Sequence, residues 1–104
     1  MVGDGSGYRF EPANVTIGKG DSVRFVMVSG GPHNVAFDTT AMPKGAHAKL
    51  SANMPSQMAD MMGPLLLDAG ESYTISFAGV PAGTYPYYCV PHLPMNQRGI
   101  ITVR

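Results

Sequence analysis

The stretch Gly18-Lys19-Gly20-Asp21-Ser22-Val23-Arg24-Phe25-Val26-Met27-Val28 joins a polar turn to a run in which Val23, Phe25 and Met27 alternate with Ser22, Arg24 and Val26. Side chains of an extended chain point to opposite faces at each step, so this alternation describes a strand with one face more polar than the other. Working outward, Gly7 to Phe10 and Asn14 to Ile17 read as extended segments on either side of Glu11-Pro12. After Gly30-Gly31-Pro32, His33 to Phe37 is another short strand. Glu71 to Phe77, Gly83 to Cys89 and Gly99 to Arg104 follow, each rich in β-branched or aromatic residues and separated by Gly or Pro turns. Short apolar runs at such regular spacing predict an all-β sandwich or barrel of seven or eight strands.

Two places depart from that pattern. Between Thr39 and Pro64, Ala, Lys, Gln and Met replace Val and Thr, which predicts a short helical connection around residues 44-62. Asn53 or Met54 is the expected cap of a helix starting near Pro55, with Gly63-Pro64 ending it. Pro86 lies inside the segment ending at Cys89 and has no N–H to give a ladder, so it should face an edge or a bulge.

Composition bounds the function. A chain of 104 residues is expected to form a single domain, 1-104, with a modest core. Net charge is zero and 13% of residues are charged, which gives no electrostatic footprint for nucleic acid or for an anionic membrane surface. The longest apolar stretches fall far short of a membrane span, and no basic-plus-apolar leader opens the sequence; a removed export signal or anchor would leave the same picture. The single cysteine excludes an internal disulfide and is either buried and inert or present for its chemistry.

That chemistry is concentrated in Tyr88-Cys89-Val90-Pro91-His92-Leu93-Pro94-Met95. A thiol, an imidazole and a thioether follow a strand in the order C-x-x-H-x-x-M, on a turn stiffened by two prolines. Soft sulfur ligands select Cu(I) and imidazole suits Cu(II), so a mixed set serves a site that cycles between them. A trigonal plane of two histidines and a cysteine with a weak axial methionine is the arrangement of electron-transfer copper. The loop supplies one histidine, and His33 is the better candidate for the second, since it opens a strand after a Gly-Gly-Pro turn, whereas His47 lies in the helical connection and is taken as solvent-facing.

Gly31 to Val35 (Gly-Pro-His-Asn-Val), Pro81 to Tyr85 (Pro-Ala-Gly-Thr-Tyr) and Tyr87 to His92 (Tyr-Tyr-Cys-Val-Pro-His) resemble plastocyanin and its bacterial relatives among the cupredoxins. Phe10 to Ile17 and Ala69 to Tyr73 extend the likeness over nearly the whole chain. The resemblance implies a Greek-key β-sandwich, one copper ion near one end, and His33, Cys89, His92 and Met95 as its ligands. It also implies that Asn34 ties the two ligand loops together. The His-to-Met spacing is shorter than in plastocyanin and is similar to that of amicyanin, so a contracted ligand loop is expected. Met1-Val2 reads as the remnant of a longer, truncated edge strand.

The function expected from these features is mobile one-electron transfer, not enzymatic catalysis. Electrons should pass through an exposed edge of His92, with redox partners docking on an apolar collar of Pro32, Leu93 and Pro94, and with Tyr88 as a second route suggested by the resemblance. A lone reactive thiol is protected by bound copper, which fits a periplasmic or other extracytoplasmic monomer, tethered or free. Tyr85 and Tyr87 share the inward face with Cys89 and are expected in the core. Met54, Met58, Met61 and Met62 fall on one face at helical spacing and read as core, or as a Cu(I)-binding cluster that would make the chain a copper-delivery protein. A multicopper enzyme domain needs more histidines than three, and a metal-free interaction module leaves the ligand set unexplained.

Overall fold

In a computed structural model describing residues 1–104, the alternating run becomes β4 (Ser22–Val26), whose Phe25 is buried while Ser22 and Arg24 are exposed. The other strands, in chain order, are β1 (Val2–Asp4), β2 (Gly7–Arg9), β3 (Asn14–Ile17), β5 (Ala36–Phe37), β6 (Ser72–Ser76), β7 (Gly83–Tyr88) and β8 (Arg98–Val103). One helix, α1 (Ala46–Ala52), lies between β5 and β6, and a 3-10 turn, Leu93–Met95, lies between β7 and β8. The count of eight lies within the expected seven or eight, and the strands form packed sheets with one short helix, as expected of a β-sandwich.

One sheet has the order β3-β8-β7-β5, with β3 parallel to β8 and the other pairs antiparallel. The second pairs β4 with β6, matching Phe25 to Tyr73 and Val23 to Ile75. Between them, Phe10, Phe25 and Tyr87 meet edge to face, with ring centroids 4.7 to 5.9 Å apart. Burial of each such side chain contributes about 1.5–3 kcal/mol, so this apolar layer rather than any single hydrogen bond clamps the sheets. Tyr85 and Tyr87 are core residues, as their parity with Cys89 requires, and their hydroxyls donate to the carbonyls of Pro81 and Ala13, each at 2.6 Å.

Pro86 obeys the strand rule. Its carbonyl accepts from the amide of Asp38 at 3.0 Å, just past the two-residue pairing of β5 with β7. A residue's N and C=O point to the same side of a strand, so the missing N–H falls where the β5 ladder has already ended.

Two expectations need correction. The helix spans Ala46–Ala52, and Asn53 is its C-cap rather than the start of a helix at Pro55. Asn53 instead donates its side-chain amide to the carbonyls of Ser76 and Ala78, tying the helix end to β6. Residues 54 to 62 are turns, with Ser56 and Met61 at positive φ, so the four methionines do not share a helical face. Met54 and Met61 are buried in the core, Met62 is half-buried and Met58 points to solvent. At the N-terminus, Val2 begins a strand that closes a tight hairpin, pairing Val2 with Arg9 and Asp4 with Gly7.

That hairpin is fastened to the sandwich beside the β4 end, where the Val28 amide donates to the Met1 carbonyl at 3.0 Å. Gly30, at φ 71°, lets the chain pass so close to Gly3 that a Cβ there would collide with the Gly3 backbone. The hairpin thereby lies over the end of the molecule that holds His33 and His92.

Candidate metal centre

Three backbone features bring the site together. His33 is held against Leu66 by a reciprocal pair of hydrogen bonds, His33 N to Leu66 O at 3.0 Å and Leu66 N to His33 O at 2.7 Å. Cys89 directly follows β7, and its amide donates to the Gln97 carbonyl at 3.0 Å across the β7–β8 hairpin. His92 sits in the intervening turn, where its carbonyl accepts from the amides of Met95 at 2.9 Å and Gln97 at 3.3 Å. Two prolines in that turn limit the conformations it can adopt.

The resulting geometry is a cluster. His33, Cys89 and His92 present ligand atoms that all lie within 4.8 Å of one another, and all three residues are buried. Cys89 Sγ is 3.8 Å from His33 Nδ1 and 3.5 Å from His92 Nδ1. Asn34 performs the tie expected of it: its Oδ1 accepts from the Val90 amide at 2.8 Å and its Nδ2 donates to the Gly63 carbonyl at 3.2 Å. The backbone N–H groups of Asn34 and His92 are directed at Cys89 and favour its thiolate, although burial, the larger effect, pushes the thiol pKa up. A bound cation reverses that balance.

A polar side chain that the sequence reading passed over completes the cluster. Gln97 is fully buried, with Oε1 3.0 Å from His33 Nδ1 and 3.1 Å from His92 Nδ1. Its Nε2 donates to the Arg9 carbonyl at 3.2 Å, which fixes the amide with its oxygen turned inward.

Proton accounting shows why these groups suit a metal. His33 Nε2 lies 2.6 Å from the Ser29 carbonyl, an acceptor only, so this nitrogen carries the ring proton. Burial, the leading effect, lowers the pKa of His33 and favours the neutral ring. Its Nδ1 then offers a lone pair to the lone pairs of Gln97 Oε1 and the Cys89 sulfur. A thiol and two imidazoles converging on one buried point fit copper.

Two expectations about this end of the molecule change. Met95 is 48% exposed on the 3-10 turn, against 0% for His33 and Cys89 and 6% for His92, and Gln97 takes the inward place. The cause is local: Asn96 adopts a left-handed conformation, φ 63°, turning the chain between them. His92, expected to show a ring edge at the surface, is buried because Tyr8 of the β1–β2 hairpin stacks on it, with centroids 3.8 Å apart and planes 17° from parallel. His47 is exposed as expected and faces Asp60 at 2.9 Å.

Of the two missed residues, one had a sequence signal. Gln97, Gly99, Ile101 and Val103 share the inward parity of β8, so a glutamine at 97 is a polar group at a core position. Tyr8 sits on a segment correctly read as extended, but its partner across 84 positions of chain was not readable from periodicity.

Comparison with known proteins agrees with the site. The family model described as "Copper binding proteins, plastocyanin/azurin family" matches residues 1–104. Plastocyanin of Scenedesmus fuscus is 39% identical over 95 residues, covering 91% of this chain and 86% of that protein. The oxidised plastocyanin of the fern Dryopteris crassirhizoma superposes with a TM-score of 0.72 at 32% identity, covering 99% of this chain and 96% of that one. A methionine-to-glutamine variant of amicyanin in its Cu(I) state is similar at a TM-score of 0.58 and 26% identity, covering 88% of this chain and 70% of that one. With a copper-binding family matched from end to end and plastocyanins aligned over nearly all of it, the chain belongs to the plastocyanin/azurin family and is a blue-copper electron carrier.

Proposed function

We propose that residues 1-104 work as a single domain whose His33 Nδ1, Cys89 Sγ and His92 Nδ1 hold one copper ion, and that the protein shuttles single electrons between redox partners. The observation that carries this reading is the convergence of these three atoms in a buried site, with the His33 ring held so that its Nδ1 is free to ligate. When bound, copper supplies the one-electron change between Cu(I) and Cu(II). The chain's own contribution is to hold its donors still. Reciprocal strand bonds fix His33, the Gln97 carbonyl fixes Cys89, and Asn34 locks the Cys89 loop to the His33 strand. A cage that moves little between the two oxidation states needs little reorganisation at each transfer. The weak fourth donor comes from the turn that carries Met95 and Gln97.

An electron carrier needs a donor and an acceptor, and their docking surface is assigned to Leu93 and Pro94, both exposed, with half-buried Pro32. Little charge and a small apolar patch suit brief encounters. No catalytic step is assigned, and the chain acts as a monomer. A lone thiol shielded by metal supports an extracytoplasmic setting such as the periplasm. No helix is long and apolar enough to cross a membrane. Delivery of copper by the methionines draws no support, since two of the four are core residues and Met58 faces away into solvent.

The test is voltammetry of the copper-loaded protein combined with its electron self-exchange rate. A reversible one-electron wave is expected, and Leu93→Asp should slow self-exchange at least about tenfold by placing like charges face to face without moving the midpoint. An irreversible wave, or self-exchange indifferent to Leu93, contradicts the proposal.

A further inference from the structure

We propose that the fourth, axial donor to copper is the side-chain oxygen of Gln97 and not the thioether of Met95. The inference rests on the His33, Cys89 and His92 reading above and adds the residue that tunes it. Gln97 Oε1 already lies 3.0 and 3.1 Å from the two ligating nitrogens, whereas Met95 projects from a turn at 48% exposure.

Position in the hairpin explains the choice. The β7–β8 register pairs Tyr88 with Arg98, which sets Cys89 opposite Gln97, and the Cys89 amide bond to the Gln97 carbonyl extends that pairing by one step. The last inward residue of the returning strand therefore faces the same point as the cysteine. Met95 has the same odd-numbered parity, but the left-handed Asn96 breaks the alternation between them. Only the residue next to β8 is held inward.

The amide is also prepared for this role. The Nε2 group donates to Arg9's carbonyl, which fixes the amide so that its oxygen faces the Nδ1 atoms of both histidines. A glutamine oxygen is an accepted replacement for axial methionine in trigonal copper sites. It is a harder donor than a thioether and favours Cu(II) over Cu(I), so the reduction potential should lie below that of the same site with methionine in this position.

Visible spectra, electron-spin spectra and midpoint potentials of four copper-loaded proteins test this: the unaltered chain, Met95→Leu, Gln97→Met and Gln97→Glu. Met95→Leu should leave all three readouts unchanged. Gln97→Met should raise the ratio of Cu(I) to Cu(II) affinity at least about tenfold, an upward shift of about 59 mV for one electron, and alter the copper hyperfine splitting. Gln97→Glu should shift the ratio the opposite way, since a carboxylate is the harder donor and carries charge. A shift in Met95→Leu with none in Gln97→Met overturns the proposal. Should the Gln97 variants fail to fold, Met95→Leu decides alone, because a ligating thioether cannot be removed silently. Absence of an intense thiolate-to-copper band in the unaltered chain would instead overturn the three-ligand reading, and this proposal with it.

Discussion

Val90 and Asn34, 56 positions apart, are joined by a single hydrogen bond in which the Val90 amide donates to the buried Asn34 Oδ1 at 2.8 Å. With the Asn34 amide group also donating to Gly63, one side chain spans the His33 strand, the Cys89 loop and the segment that follows the helical connection. The relationship makes the two ligand-bearing segments a unit before any metal binds.

Asn34→Ala should therefore destabilise the copper-free protein by about 1–3 kcal/mol, the cost of leaving a buried amide unsatisfied. Urea unfolding of the two apoproteins measures it. Asn34→Asp should keep the bond from Val90 and lose the one to Gly63, so it should fall between them; equal stability for Asn34→Ala and the parent would remove the tie from consideration.

Tyr8→Ala should open one face of His92. Loss of an aromatic pair costs about 0.5–1.5 kcal/mol beyond the buried area, so thermal stability should fall. Reduction of the Cu(II) protein by a small hydrophilic reductant should speed up because the ring is no longer covered. Tyr8→Phe should behave as the parent on both counts.

Gly99 has no room for a side chain. A Cβ would run into the Ala13 carbonyl and the Tyr87 hydroxyl, the two groups that bond to each other at 2.6 Å where β3 meets β8. Gly99→Ala should cost about 1–3 kcal/mol, the usual range for overpacking, and chemical denaturation should show it as a lower midpoint at an unchanged slope.

Tyr87 predicts alkaline sensitivity. Burial pushes its phenol from 10.0 up to about 12, because the charged form is poorly solvated among Phe10, Phe25 and Phe37. The folded pKa is raised above the unfolded one, so its contribution to stability is complete below pH 10 and is lost as pH rises toward 12. Tyr87→Phe should show a shallower fall in stability over that window, measured by denaturation at a series of pH values. Parallel pH profiles would assign the sensitivity elsewhere.

How far the sequence could be read depended on the range of the interaction. Strands such as Asn14–Ile17 declare themselves through local alternation, and β3 has the bounds expected of it. The three closest ligand candidates were legible because a cysteine and two histidines in turn contexts have few structural uses. Helix α1 was misplaced because Ala, Lys and Met set a propensity over the whole of residues 44 to 62, and tertiary bonds such as Asn53 to Ser76 decided where it stopped. Met95 was chosen on spacing from His92, a count along the chain, whereas the inward place beside Cys89, held by Gln97, is set by register across the β7–β8 hairpin, a count across it. The cover on His92 depends on the hairpin of residues 2 to 9 folding back over the far end of the chain, which no local pattern encodes.

Titration of the copper-free protein with Cu(II), followed in the visible and by electron-spin resonance, bears most directly on the site of His33, Cys89 and His92. One equivalent should produce an intense thiolate-to-copper band with a narrow hyperfine splitting, absent in Cys89→Ser and lost or strongly altered in His33→Ala. A colourless complex, or a band that survives the loss of Cys89, would contradict it.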